Sequence, residues 1–123
     1  MSLVFLDSCI VIDYINGKLK LDDSQIENFC FNTIVDMEII VGAKDKRDLH
    51  TTNKKLSKFN NIDINQDILD LARKMVNKYS LSHNMTIYDS IIASTCLIYD
   101  LPLWTYNKKD FKYIEGLVLV DLG

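Results

Sequence analysis

Leu3-Val-Phe-Leu-Asp7-Ser-Cys-Ile-Val-Ile-Asp13-Tyr-Ile-Asn16-Gly17 is the stretch on which the fold turns. Four apolar residues end abruptly at Asp7, as in a buried strand of a parallel sheet. Ser8 to Ile15 then reads as a helix, and Asn16-Gly17 supplies its C-terminal stop. A strand that passes straight into a helix is the opening unit of an α/β domain, and an acid at that junction needs a partner. A helix N-terminus or a metal ion would serve.

The same alternation continues downstream. Asp22 to Glu27 reads as a short helix and Phe29 to Thr33 as a strand. Val35 to Val41 reads as an apolar helix closed by Gly42, and residues 45–58 as a charged helix. Ile62 to Ile64 fits a short strand. Ile68, Ala72, Met75, Val76 and Tyr79 recur at helical spacing, which predicts an amphipathic helix over 66–79. Thr86 to Tyr99 is the most apolar helix, with Thr86 and Asp89 spaced as a capping box. Leu101 to Thr105 and Leu117 to Asp121 read as strands. Strands and helices in turn predict an α/β/α sandwich of three layers around a mainly parallel sheet.

Composition sets the bounds. The chain has 123 residues, 48% hydrophobic and 25% charged, which suits one domain over 1–123 with a sizeable core. One Pro and four Gly leave no linker at which to divide it. No run approaches the ~18 apolar residues of a membrane span. Met1 to Phe5 has no basic region, so no signal peptide is expected. Cys9, Cys30 and Cys96 are scattered and odd in number, as reduced thiols of a cytoplasmic protein would be. The net charge of −3 counts against a nucleic-acid partner. Locally the balance reverses: residues 44–58 carry Lys44, Lys46, Arg47, Lys54, Lys55 and Lys58 against Asp45 and Asp48. That patch is either a solvated helix face or a phosphate-binding surface.

In open α/β sheets ligands bind beyond the carboxyl ends of the strands. Asp7, Glu38, Asp89, Asn107 and Asp110 all fall at or near strand-to-helix junctions. Converging carboxylates repel one another, and a hard divalent cation such as Mg²⁺ or Mn²⁺ removes that repulsion. Clustered acids without matching His or Cys ligands therefore point to metal-assisted phosphodiester hydrolysis. Each acid also has a plainer use. Asp89 would complete the capping box with Thr86, Glu38 would be the exposed position of its helix, Asp13 a surface residue, and Asp110 the start of a surface turn.

Four blocks resemble the motifs of the PIN-domain family. They are Phe5-Leu-Asp7-Ser-Cys-Ile-Val-Ile-Asp13, Met37-Glu38-Ile-Ile-Val-Gly42-Ala43, Asp89-Ser-Ile-Ile-Ala93, and Leu103-Trp-Thr105-Tyr-Asn107-Lys-Lys-Asp110-Phe111. They stand in the family's order and are followed by Ile114-Glu-Gly116-Leu117. The small size resembles the VapC toxin subgroup. The resemblance implies a Mg²⁺- or Mn²⁺-dependent endoribonuclease, the toxin of a toxin–antitoxin pair. It implies an acidic site of Asp7, Glu38 and Asp89, with Asn107 or Asp110 in the fourth place. Asp7 and Asp89 would hold the metal, and Ser8 and Thr105 would support them. It further implies an RNA substrate, transfer RNA among the possibilities, a cognate VapB-like antitoxin, and a homodimer.

Lys44, Lys46, Arg47, Lys108 and Lys109 are the candidates for holding the RNA backbone. Tyr14 and Tyr106 would either pack or stack on an unpaired base. The chain departs from the family pattern in two places. Ser8-Cys9 stands where Thr-Asn is commoner, and Asn107 where many relatives carry an acid, which loses a charge and weakens the case for a second metal.

Rival readings follow from the same residues. His50 and His83 would have to act as acid and base in a metal-free ribonuclease. Cys9 would need to be an activated nucleophile. Asp7 would be the nucleophile of a phosphatase, but Cys9 stands where those enzymes carry a second Asp. A domain that only docks RNA or an antitoxin would keep the acids without cutting.

Overall fold

The computed structural model describes residues 3–123, so Met1 and Ser2 of the segment read as no signal peptide lie outside the described residues. Strand β1 spans Val4–Leu6 and helix α1 Ser8–Ile15; α2 is Asp23–Ile26 and β2 Phe29–Phe31. Helices α3 (Thr33–Val41) and α4 (Lys46–Leu56) precede β3, Asn60–Asn61. Helices α5 (Gln66–His83) and α6 (Ile87–Ile98) precede β4, Leu103–Trp104. A 3₁₀ turn over Lys108–Asp110 and strand β5, Leu119–Val120, complete the chain.

All five strands are parallel and lie in the order β3-β2-β1-β4-β5. The chain runs outward from β1 to β3, then returns across β1 to β4 and moves the other way to β5. With the right-handed crossovers that such parallel connections take, the helices of these two halves are expected on opposite faces of the sheet. The expected α/β architecture, a parallel sheet flanked by helices, is the one observed. The direction reverses between β1 and β4, so a cleft is expected beyond their carboxyl ends. Asp7 and Thr105 are the first residues past those ends.

The core fills the sheet's two faces with Phe5, Leu6, Ile10, Val11, Phe31, Val35, Ile92, Leu103 and Trp104, all at most 2% exposed. Helix α6 is buried nearly all round, Ser90 through Cys96 in succession. Apolar residues occupy every side of it, as the sequence suggested. Among the described residues no helix is long and apolar enough to cross a membrane, and the three cysteines are free.

Several boundaries differ from expectation. The strand expected over Phe29–Thr33 stops at Phe31, because Asn32 caps α3: its Oδ1 accepts from the Val35 amide at 3.2 Å. Fully buried, Asn32 also donates to Thr95 Oγ1 at 3.0 Å. The strand expected over Ile62–Ile64 is displaced to Asn60–Asn61. These residues pair through their backbones with Cys30 and Phe31, and the ladder's last bond runs from the Ile62 amide to the Phe31 carbonyl at 2.8 Å. The strands expected over Leu101–Thr105 and Leu117–Asp121 each pair over only two residues. Helix α5 runs four residues past its apolar stripe, to a left-handed cap at Asn84.

The basic stretch is partly structural. Lys55 Nζ donates to the Ile15 carbonyl at 3.0 Å, at a helix C-terminus where carbonyls lack partners and a cation is favoured. Lys58 pairs with Asp23 at 3.8 Å. Lys44, Lys46 and Arg47 stay exposed at the start of α4.

Candidate active site

Asp7 is the anchor of the cleft and is 3% exposed. It caps α1, its Oδ1 accepting from the Ser8 amide at 2.7 Å. The same oxygen accepts from the Tyr88 hydroxyl at 2.8 Å. Oδ2 accepts from the Thr105 hydroxyl at 2.8 Å and lies 3.8 Å from Cys9 Sγ. Sheet pairing makes these meetings possible: the Asp7 amide donates to the Trp104 carbonyl at 3.1 Å, setting the end of β1 beside the end of β4. A carboxylate offers about four lone-pair directions, and all four are engaged. Helix α1 adds the positive end of its dipole.

Asp89 approaches from the first turn of α6. Half of the capping box forms, the Asp89 amide donating to Thr86 Oγ1 at 3.0 Å. The carboxyl behaves differently from a simple cap. Burial pushes it up to about 6, with a hydrogen bond from Thr86 opposing and the charges of Asp7 and then Asp110 adding to the rise. The charges of Asp7 and Asp110 therefore both reach the Asp89 carboxyl. Asp110 sits in the 3₁₀ turn, its amide bonded to the Asn107 carbonyl at 3.0 Å.

The remaining candidates are placed as follows. Ser8 joins through its backbone, whose amide also lies 3.4 Å from the Tyr88 oxygen. Thr105 is buried and holds both Asp7 and, at 3.0 Å, the Asn107 amide. Asn107 itself is exposed and takes part through that backbone bond. Glu38 is exposed on α3 and is not among the charges that act on Asp89. It lines a cavity of about 190 Å³ with Ile12, Asn16, Ala43, Lys44 and Asp48. Lys108 pairs with Asp121 at 3.4 Å, and Lys109 is exposed. Tyr14 packs edge-on against Phe59 at 5.6 Å, a core contact, whereas Tyr106 is exposed at the mouth of the cleft.

Two rivals lose ground here. Burial pushes the Cys9 thiol up, and the Asp7 charge adds to that, so Cys9 is a protonated donor and not a thiolate. The phosphatase reading finds no second acid beside Asp7: Cys9 Sγ, 3.8 Å from Oδ2, stands where those enzymes carry one.

Tyr88 was not legible as a site residue. Burial first, then the Asp7 charge, keeps its phenol protonated, so it can only donate to that oxygen. A hydrogen bond to a charged acceptor contributes about 1.5–3 kcal/mol. Tyr88→Phe is expected to lose about 2 kcal/mol of unfolding free energy in urea. A loss under about 0.5 kcal/mol would mean that water replaces the phenol without cost.

A model of the PIN domain matches residues 4–117, nearly the whole chain. The chain belongs to the PIN domain family. Among relatives of this PIN domain, Ribonuclease VapC2 of Methanocaldococcus jannaschii is 26% identical over 144 residues, covering 97% of this chain and 93% of that protein. A toxin–antitoxin complex from Klebsiella pneumoniae contains a chain 29% identical, with a TM-score of 0.72 and coverage of 94% and 95%. The DNA-bound VapBC of Salmonella typhimurium has a TM-score of 0.81 at 23% identity over 98% of both chains, a likeness of fold.

The donor set of this PIN domain fits a hard divalent cation by its chemistry. The charges of Asp7 and Asp110 both act on the half-buried Asp89 carboxyl, with hydroxyl oxygens beside Asp7 and no cationic side chain bonded to any of the three among the described residues. Among those residues, no three of His, Cys, Asp and Glu converge closely enough to hold an ion as they stand. Holding an ion there would take side-chain rotation.

Proposed function

We propose that this PIN domain is the endoribonuclease toxin of a toxin–antitoxin pair, hydrolysing RNA at the cleft of Asp7, Asp89 and Asp110 with Mg²⁺ or Mn²⁺. The observation that carries the reading is the gathering of these acids at the reversal point of the sheet: burial first, then the charges of Asp7 and Asp110, lift Asp89 to about 6. Such a gathering is costly in a stable fold and is relieved by a cation. The ribonuclease and toxin–antitoxin descriptions of the relatives supply the substrate class and the partner.

Asp7 and Asp89 hold the ion, directly or through water, and Asp110 in place of Asn107 completes the negative field. When bound, the ion activates a water and neutralises charge on the scissile phosphate. Tyr88 and Thr105 fix the Asp7 carboxylate so that it does not reorient during the reaction. The Cys9 contact, at 3.8 Å the weakest of the four on Asp7, is the one that yields to a new partner. Lys44, Lys46, Arg47 and Lys109 hold backbone phosphates, which makes binding fall with salt and leaves sequence choice to other groups. Glu38 acts from the neighbouring cavity wall, on water or on the phosphate that enters there. Exposed Ile12 lines that cavity, Met37 and Val41 are exposed on the helix that carries Glu38, and such apolar surface suits an apolar antitoxin segment.

The purified, partner-free chain incubated with total RNA, transfer RNA included, is expected to give discrete cuts with Mg²⁺ or Mn²⁺ and none with EDTA. RNA bound but uncut under every metal would replace the nuclease by a docking module. The mass in solution tests the homodimer, for which the apolar groove of Leu69, Val76, Ile87 and Ile91 between α5 and α6 is available; a monomeric mass removes it.

A further inference from the structure

A tyrosine stands beside the acids that none of the four motifs includes. Tyr113 lies in the turn between Asp110 and β5. Its ring is clamped by α5. His83 stacks on it, centroids 4.0 Å and planes 14° apart, and Tyr79 meets it edge-on at 4.9 Å. Tyr79 and His83 are four residues apart and so share one face of the helix. The ring has little freedom to turn away. Its hydroxyl oxygen is nevertheless sealed from solvent with no hydrogen-bond partner among the described residues. A buried hydroxyl without an acceptor is costly, and one held in place by two other rings calls for an acceptor that arrives. The acceptors at hand are carboxylates: after burial, the charges of Asp89 and then Asp110 are what push this phenol further up.

We propose that Tyr113 is a positioning residue of the acidic site, its hydroxyl donating to the Asp89 carboxylate when that side chain turns in to hold a divalent cation. The inference rests on the cation reading above. It gives Asp89 what Tyr88 gives Asp7 at 2.8 Å, a phenol on one carboxylate oxygen that fixes its rotamer; on Asp89 the other oxygen is left for the ion. Groups that orient metal ligands in this way typically affect affinity by about 10- to 100-fold. His83 takes the role of a brace, since its stacking sets where the Tyr113 oxygen sits.

Calorimetric Mn²⁺ titration of the wild type, Tyr113→Phe and Asp89→Asn tests this, with near-ultraviolet difference spectra recorded at each addition. Tyr113→Phe keeps the stacked ring, sheds the unpartnered hydroxyl, and is expected to unfold at or above the wild-type urea concentration while binding Mn²⁺ about 10-fold more weakly. The wild type is expected to show a tyrosine difference signal on Mn²⁺ addition that Tyr113→Phe lacks, a signature that packing alone does not produce. The wild-type signal needs no variant, so a poorly folding Tyr113→Phe leaves the test intact. Equal Mn²⁺ affinity in wild type and Tyr113→Phe, or a wild type that binds without a tyrosine signal, would overturn the role of Tyr113 and leave the cation site standing. A wild type as silent to Mn²⁺ as Asp89→Asn would overturn the cation reading, and the role of Tyr113 with it.

Discussion

Asp7→Asn is expected to cut metal-dependent RNA cleavage by on the order of 10³, the scale of removing a ligand charge that supports several kcal/mol of transition-state stabilisation. The variant is close to isosteric. Its amide oxygen still accepts from the Ser8 amide and the Tyr88 hydroxyl, now 2.7 and 2.8 Å from Oδ1. Its nitrogen replaces Oδ2 and faces the Thr105 hydroxyl, which at present donates there at 2.8 Å. That hydroxyl must turn its proton elsewhere, and it already accepts from the Asn107 amide. The structural cost is therefore one mismatched hydrogen bond, about 1–2 kcal/mol. Activity and stability then fall by very different factors, and this separates a site residue from a structural one. Asp7→Ala would blur the two, since it also removes a helix cap worth about 1 kcal/mol and leaves buried donors unpaired. Cleavage within tenfold of wild type by a folded Asp7→Asn would show that the charge is not needed.

Asp7 was legible because an acid directly after four apolar residues has few uses. The sequence offered a helix cap or a metal as its partner, and in the fold Asp7 caps α1 and joins the acid group at once. Asp89 was harder. Its spacing from Thr86 spells a capping box, and only its burial and the charges of Asp7 and Asp110 distinguish its carboxyl from an ordinary cap. Tyr88 was invisible for a simple reason: its partner Asp7 is 81 residues away, and adjacency to Asp89 says nothing about that contact. Asn32 was hidden inside an apolar run that reads as strand. Strand β3 was misplaced because Asn60 and Asn61, both exposed on an edge, pair through backbone alone and carry no apolar signal. The basic stretch was legible as a patch but not in its division of labour. Lys55 reaches an α1 carbonyl, and only the crossover topology brings the two together.

Asp89→Asn should move stability and metal binding in opposite directions. The folded carboxyl titrates at about 6 against an ordinary value of 3.8, so the fold disfavours the charged form. An acid raised in the fold binds its proton more tightly there than in the unfolded chain, and stability is lost as pH rises from about 4 through 6. Undiscounted, the shift corresponds to about 3 kcal/mol. Asp89 is only half-buried and solvent screens the repulsion, so about 1 kcal/mol is the reasonable figure. In EDTA at pH 7.5 Asp89→Asn is therefore expected to melt about 3–5 °C above the wild type. At about pH 3 and below the two should melt together, because the wild-type carboxyl is then protonated in both the folded and the unfolded chain. Mn²⁺ should reverse the order at pH 7.5: it raises the wild-type melting temperature by mass action, while the variant, lacking a ligand charge, gains little and binds at least about 100-fold more weakly. Thermal melts across pH, with and without Mn²⁺, read all of this from two proteins. A variant less stable than wild type at pH 7.5 in EDTA would mean that the Asp89 carboxylate stabilises the α6 N-terminus more than its neighbours destabilise it. The repulsion would then no longer argue for a cation in the cleft.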